Sequence, residues 1–319
     1  MKRLVLGVLA LAFSGLAAAQ PFPTRPLRLI VPFAAGGGAD IVARLLSVKL
    51  QESLGQPVSI DNRPGASEII GMTLLTQSPP DGYTMLQSGS TLALNPMIYA
   101  KLPYDTERDI APIAKLLDIP LVLVVNPSVT ANTTRELVQL AKSQPGKLNY
   151  GHIGDGSVHR LAMEWFKSVA GIDVAPIAYK GVAPAGAALI SGEIQMILTG
   201  LSTGLPQAKA GKMKAIAVTT PMRVAIAPDL PTVAETYPEI ALTPFYAMVG
   251  RAGTPADILN RLSSEIAKAL NAADVRERLA QLGLVPSPST PAELANELRV
   301  EAQLWARLVK LIGLKPQQL

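Results

Sequence analysis

The stretch Leu27-Arg28-Leu29-Ile30-Val31-Pro32-Phe33-Ala34-Ala35-Gly36-Gly37-Gly38-Ala39-Asp40-Ile41-Val42 contains the change of period that decides the fold. Residues 27–33 form a short aliphatic run of strand length, and the glycines break it at once. Ile41, Val42, Leu45, Leu46, Leu50 and Leu54 then recur at helical spacing, with Asp40 at the beginning and Gly55 at the end. One strand–turn–helix unit follows from these residues alone. Outward from it the alternation continues with strand 58–60, helix 69–75, and strand 83–86 entered through the turn Pro80-Asp81-Gly82. Such alternation predicts an α/β fold built on a parallel sheet.

A second series begins at Leu121-Val122-Leu123-Val124-Val125, apolar at every position as a strand buried on both faces must be, and stopped by Asn126-Pro127. Strands are predicted at 148–150, 174–179, 194–198 and 215–218, with helices at 134–141, 158–169, 184–190 and 204–209. Pro228, Pro231, Pro238 and Pro244 punctuate a connection, after which strand 245–249 and amphipathic helices 258–270 and 294–312 close the chain. The stripe Leu304, Trp305, Leu308 and Ile312 has the spacing of a core-facing helix side. Two α/β lobes are expected, the first from 20–125 with 242–319, the second from 126–241.

The chain has 319 residues, 49% of them hydrophobic and 17% charged, which suits two folded domains and excludes a disordered polymer. With no cysteine, thiol nucleophiles, cysteine-held zinc, iron–sulfur clusters and disulfides are excluded. Only His152 and His159 remain for imidazole chemistry, so neither a metal site nor a cofactor is expected. Lys2 and Arg3, the apolar run 4–16 and Ala17-Ala18-Ala19 have the layout of a secretory signal over residues 1–19, cleaved near Ala19. That run is too short for a membrane span, which takes about 20 apolar residues. Loss of Lys2 and Arg3 lowers the net charge of +5 only slightly, and no block of like charge remains. Aromatic residues are 4% of the chain, so nucleic acid is not an expected partner.

Three loops have the position and composition of a binding site. Ala35, Gly36 and Gly37 lie between a strand and a helix, where open α/β sheets take ligands and helix N–H groups favour an anion. The alternative is a plain tight turn, since neither G-x-G-x-x-G nor a phosphate-loop pattern is complete. Gly154, Asp155 and Ser157 lie in a second loop of the same kind, with Asp155 and Ser157 alternatively ordinary helix caps. Ser88-Gly89-Ser90-Thr91 closes the third strand with three hydroxyls, or is merely a turn. Ser157, His159 and Asp155 include the residue types of a hydrolase triad, yet G-x-S-x-G is not matched and near neighbours on a helix do not face each other. A metal held by His152, His159 and Glu164 fits no known spacing.

Further stretches carry a family resemblance: Leu29-Ile30-Val31-Pro32-Phe33-Ala34-Ala35-Gly36-Gly37-Gly38-Ala39-Asp40, Asn62-Arg63-Pro64-Gly65-Ala66, Pro80-Asp81-Gly82-Tyr83-Thr84 and Leu102-Pro103-Tyr104-Asp105. Later ones are Pro145-Gly146-Lys147-Leu148-Asn149-Tyr150-Gly151, Tyr179-Lys180-Gly181, Leu230-Pro231-Thr232-Val233-Ala234-Glu235 and Ala252-Gly253-Thr254-Pro255. Over its mature length the chain resembles the solute-binding proteins of tripartite tricarboxylate transport systems, the Bug family. The resemblance implies a type II periplasmic binding protein fold, two α/β lobes closing on a small carboxylated solute without any reaction. It implies a periplasmic monomer working with membrane transporter subunits or with a sensor. The solute is then a di- or tricarboxylate, an amino acid or an aromatic acid. By position, Ala35, Gly36, Ser88, Ser90, Gly154 and Ser157 inherit the carboxylate contacts, with Gly37, Gly89, Asp155, Tyr179 and Thr199 beside them.

Departures from the family pattern fall near the expected cleft. Ser67-Glu68-Ile69 replaces a glycine-rich, asparagine-containing turn, Asp155 stands where asparagine is common, and Thr199-Gly200 replaces Asp-Asn. Thr199 argues against an amino-acid ligand, whereas an inward Asp155 argues for one or repels a second carboxylate. Two other functions remain open to the sequence: a secreted hydrolase using Ser157 and His159, and a sensory binding protein that docks on a receptor.

Overall fold

The protein, described here by a computed structural model over residues 22–154 and 156–318, is organised by two mixed sheets. The first contains β1 (Leu27–Val31), β2 (Val58–Asn62), β3 (Thr84–Gly89), β4 (Ile110–Asp118), β10 (Phe245–Arg251) and β11 (Val285–Pro286), in the order β11-β4-β10-β3-β1-β2. The second contains β5 (Leu121–Val125), β6 (Asn149–His152), β7 (Ala175–Ala178), β8 (Met196–Gly200) and β9 (Lys214–Val218), in the order β7-β6-β8-β5-β9. The helices are α1 (Gly38–Leu54), α2 (Ile69–Thr76), α3 (Thr91–Ile98), α4 (Thr106–Asp109), α5 (Thr134–Ser143), α6 (Val158–Ala170), α7 (Val182–Ser191), α8 (Leu201–Lys209), α9 (Ala256–Asn271), α10 (Ala273–Gln281) and α11 (Pro291–Leu311).

Both sheets are covered on two faces, which is why their strands read as unbroken apolar runs. Leu29 and Val31 pack with Val42, Leu46 and Leu50 of α1, whereas Ile30 between them packs on the opposite face with Met72, Leu75 and Leu86. β5 repeats this alternation: Leu121, Leu123 and Val125 face one cluster, Val122 and Val124 another. Each such fully buried side chain contributes about 1.5–3 kcal/mol of transfer free energy. Alternating burial therefore fixes the register of both strands, because a slip of one residue would exchange the two faces.

The expected purely parallel sheet is corrected by the strand pairings. β1 is parallel to β2 and β3, and β6 to β7 and β8, but β10 runs antiparallel to β3 and β4, and β5 antiparallel to β8 and β9. The antiparallel members are the strands entering from the other half of the molecule. β4 passes into β5 through Ile119-Pro120, and the chain returns through Leu242–Phe245, so both enter their sheets from the crossover. The crossovers are tied together: Ile119 N–H donates to the Pro244 carbonyl at 2.7 Å and Leu242 N–H to the Thr219 carbonyl at 2.8 Å. β5 belongs to the second sheet, so sheet membership changes at 119–120, ahead of the expected boundary at 125/126.

Helix α11 begins with Pro291 in its first turn and a reciprocal capping box between Thr290 and Glu293. Its Leu294 packs with Phe245 and Ala247 of the first sheet. Trp305 and Leu308, about three to four turns further on, share a cluster with Leu123, Leu161 and Phe166 of the second half and with Ala93, Leu94 and Ile98 of α3. The apolar stripe of the last helix is thus core, as its spacing implies, and joins both halves. The segment read as a signal, residues 1–19, lies outside the described residues.

Candidate functional site

Parallel pairing of β1 with β3 sends the loops that follow them out at one edge of the first sheet. Ala35, Gly36 and Gly37 are exposed there, and Gly36 turns the chain at φ 84°, where a side chain would be strained. Gly37 precedes α1 and no side chain caps the helix, so its first-turn amides face the open edge. One expected donor is already engaged. The Gly36 N–H donates to Asp40 Oδ2 at 2.9 Å, and the same carboxylate accepts from Arg44 Nε at 2.8 Å and Asn62 Nδ2 at 2.9 Å. Arg44 foremost, with the Gly36 amide and Asn62, holds the Asp40 carboxyl down at about 2 against its burial. Asp40, in the first turn of α1 rather than at its cap, is the clasp of the loop.

Ser88, Gly89 and Ser90 end β3, and the structure gives each a local partner. Ser88 is fully buried and its Oγ donates to Glu68 Oε2. Gly89 is required by β10, since a Cβ there would lie 1.9 Å from the Phe245 carbonyl oxygen. Ser90 precedes α3 without capping it, and its Oγ accepts from Phe245 N–H at 3.3 Å. Phe33 and Tyr246 meet beside this edge with ring centroids 6.2 Å apart. Glu68, named in the sequence only as a departure, is the acidic group that meets Ser88 at this edge. It arrives through three successive non-glycine residues with positive φ, Ala66 at 47°, Ser67 at 50° and Glu68 at 72°. The Ser67 carbonyl accepts from Asn95 Nδ2 at 2.9 Å and the Ser67 hydroxyl pairs with Tyr99 Oη at 2.9 Å, which holds the turn against α3.

In the second sheet, β6 is parallel to both β7 and β8, so the loops after all three leave at one edge. Gly154 N–H donates to His152 Nδ1 at 3.3 Å. Ser157 Oγ donates to the Gly154 carbonyl at 2.7 Å and accepts from Arg160 N–H at 3.3 Å, so Ser157 is the cap of α6. Tyr179 turns its hydroxyl to Glu193 Oε1 at 2.7 Å. Thr199 is buried on β8, paired with Val122, and its Oγ1 has no hydrogen-bond partner. Asp155 lies outside the described residues. The two edges approach each other: a Cβ on Gly156 would lie 2.9 Å from Ile98 Cγ2 at the end of α3.

Hydrolysis finds no apparatus here. The Ser157 hydrogen is committed to a carbonyl rather than to His159, and desolvation pulls the His159 imidazole down to about 4. Among the described residues no group of three or more His, Asp or Glu side chains is placed to hold a metal ion, and no helix is long and apolar enough to cross a membrane. What the first edge leaves open is the exposed backbone of Ala35, Gly37 and Gly38 at a helix start that no side chain caps, and the second edge faces it with the loop ahead of α6.

Comparison with known proteins gives the same picture. Residues 42–314 match the family model described as the tripartite tricarboxylate transporter family receptor. Protein BugT of Bordetella pertussis is 35% identical over 317 residues, covering 98% of this chain and 97% of BugT. The structure of Rpa4515 from R. palustris with adipate has a TM-score of 0.85 at 30% identity, covering 93% of this chain and 100% of the other. MatC from Rhodopseudomonas palustris, with bound malate, has a TM-score of 0.78 at 30% identity, covering 90% of this chain and 100% of MatC. A two-lobed α/β frame, loops suited to binding rather than turnover, and matches along nearly the whole sequence agree, and the chain belongs to the tripartite tricarboxylate transporter receptor family, as a periplasmic solute-binding protein and not an enzyme.

Proposed function

We propose that the chain captures a small carboxylated solute between its two lobes and presents it to the membrane subunits of a tripartite tricarboxylate-type transporter. The observation that carries this reading is the pair of opposed loop edges, one per sheet, with the α1 N-terminus uncapped by any side chain. The relatives solved with adipate and malate support the solute class. On this reading the solute meets Ala35, Gly37 and the first turn of α1, with Ser88 and Ser90, from one side. Gly154 and the cap loop of Ser157 meet it from the other. The first lobe is then 20–118 with 245–319 and the second 121–242, hinged at the paired crossovers, and a signal over 1–19 delivers the protein to the periplasm.

Magnitudes fit such a shared grip. Micromolar affinity takes about 8 kcal/mol. Hydrogen bonds to a charged group contribute about 1.5–3 kcal/mol each, and a helix N-terminus about 0.3–1 kcal/mol. Neither edge suffices alone, so affinity and closure are coupled.

A thermal-shift screen over mono-, di- and tricarboxylates, amino acids and aromatic acids tests the reading. A ligand at 100 times its dissociation constant stabilises by about 2.7 kcal/mol, a rise of roughly 5–10 °C for a chain of this size. A panel in which no carboxylate raises the melting temperature contradicts it.

A further inference from the structure

We propose that Glu68 is the specificity-determining residue of the cleft: its proton decides whether Ser88 offers a hydrogen to a carboxylate or withholds it, so that capture of an acid takes up one proton. The inference rests on the reading of Ser88 as part of the solute site. A serine hydroxyl has a single hydrogen. In the structure that hydrogen is committed to Glu68 Oε2. With Glu68 ionised, Ser88 can show an approaching solute only lone pairs, and a negative charge stands directly behind it. With Glu68 protonated, the acid donates its own hydrogen to Ser88 Oγ, and the serine hydrogen is released for the solute.

The surroundings make this exchange consequential. Glu68 is only 6% exposed. Ser88 of β3 and Thr91 of α3 act on its carboxyl, and the phenols of Tyr104 and Tyr246 feel its charge. Tyr99 reaches the turn through Ser67. No cation is among these groups, so only hydroxyl hydrogen bonds oppose the cost of a buried negative charge. Burial accordingly pushes the Glu68 carboxyl up to about 7, against the hydroxyls of Ser88 and Thr91. A second carboxyl, Glu301 of α11, lies beside Ser90 and Trp305. Burial pushes it also to about 7, with Glu297 adding and Lys115 opposing. A wild-type pH profile therefore contains both acids, and a Glu68 variant separates them.

The sign follows from linkage. A carboxylate ligand favours protonated Glu68, so its affinity is full below the free-state value and falls as pH rises, approaching tenfold per unit well above it. The glutamine variant, E68Q, keeps the shape and donates its amide to Ser88 permanently.

Calorimetric titration of wild type and Glu68→Gln with adipate and with malate, from about pH 6 to about pH 8.5, is the test, over a range where both probes stay largely ionised. Wild-type affinity should fall severalfold or more across the range, with proton uptake visible as a buffer-dependent heat, while E68Q binds at high pH with the affinity the wild type has at low pH. Equal pH slopes in the two proteins, or loss of binding in a folded E68Q at every pH, overturn the role of Glu68 and leave the carboxylate site standing. If E68Q does not fold, Glu301→Gln, which removes the other raised acid, takes its place: proton uptake kept near the upper pH supports Glu68, and its absence overturns the inference. Failure of both probes to bind wild type at any pH, together with a carboxylate panel that raises no melting temperature, overturns the carboxylate reading and this inference with it; where the panel yields another acid, that acid replaces the probes in the same titration.

Discussion

Ser157 has both hydrogen-bonding directions occupied, donating to Gly154 and accepting from Arg160, which makes its hydroxyl a structural cap. Ser157→Ala should lower stability by about 0.5–2 kcal/mol in chemical denaturation, the usual cost of an N-cap. It should change no ester hydrolysis, because the wild type has none to lose. Asp40 is more deeply committed: Asp40→Ala leaves the Gly36 amide, Arg44 and Asn62 without their common acceptor. A loss of about 2–3 kcal/mol is expected, since hydrogen bonds to a charged group are involved. Part of this was legible in the sequence, because Asp40 and Ser157 each stand at a strand-to-helix junction. The site role of Glu68 was not. A glutamate in a loop ordinarily reads as solvated, and its burial depends on a positive-φ run and on Asn95 and Tyr99, 27 and more residues away in sequence, holding that run in place.

The turn leading into α2 stores strain, since Ala66, Ser67 and Glu68 all occupy the left-handed region. Each such L-residue costs about 1–2 kcal/mol, and glycine at exposed Ala66 should therefore stabilise the protein by up to about 1 kcal/mol, read as a rise in the denaturation midpoint. The opposite sign is expected at the β3–β10 pair. Gly89→Ala puts a methyl against the Phe245 carbonyl and should cost about 3 kcal/mol or more, or prevent folding, because backbone on both sides must move. Elements with a clean period were readable, and α1 ends at its predicted Gly55 cap. β4 was not, for Pro112 and Lys115 interrupt its pattern. In the fold, the Lys115 ammonium is paired with Glu297 at 2.6 Å and with Asp118 at 2.8 Å, which makes a lysine tolerable in a central strand. α3 was hidden because Pro96 lies within it and its apolar residues serve two halves of the molecule.

Across the whole molecule, two buried acids and a set of clasped carboxylates act on stability in opposite pH ranges. Glu68 and Glu301 are raised to about 7, so the folded state holds more protons than the unfolded one between their ordinary value of 4.5 and 7. Their contribution is complete below that window and is lost as pH rises through it, at most about 1.4 kcal/mol per pH unit for each group. Asp40, held down at about 2, behaves conversely: its contribution is present above 3.8 and disappears as pH falls toward 2. Melting temperatures of ligand-free protein should therefore decline from about pH 5 toward neutrality, less steeply in Glu68→Gln. A decline of the same size in both proteins would remove Glu68 as its source. The two-lobed α/β plan was legible from alternating periods and from the family stretches, whereas the antiparallel strands were not, because direction is set by the crossovers at Ile119-Pro120 and Leu242–Phe245 rather than by local sequence. The most direct test of the central claim is a crystal structure of the protein grown with an acid that raises its melting temperature. Density for the acid bridging the Ala35–Gly38 loop and the Gly154–Ser157 loop, within hydrogen-bonding distance of both, is the expected result. Density confined to the cavity of about 270 Å³ lined by Arg160, Glu164 and Lys167, with the space between the loops holding only water, would contradict it.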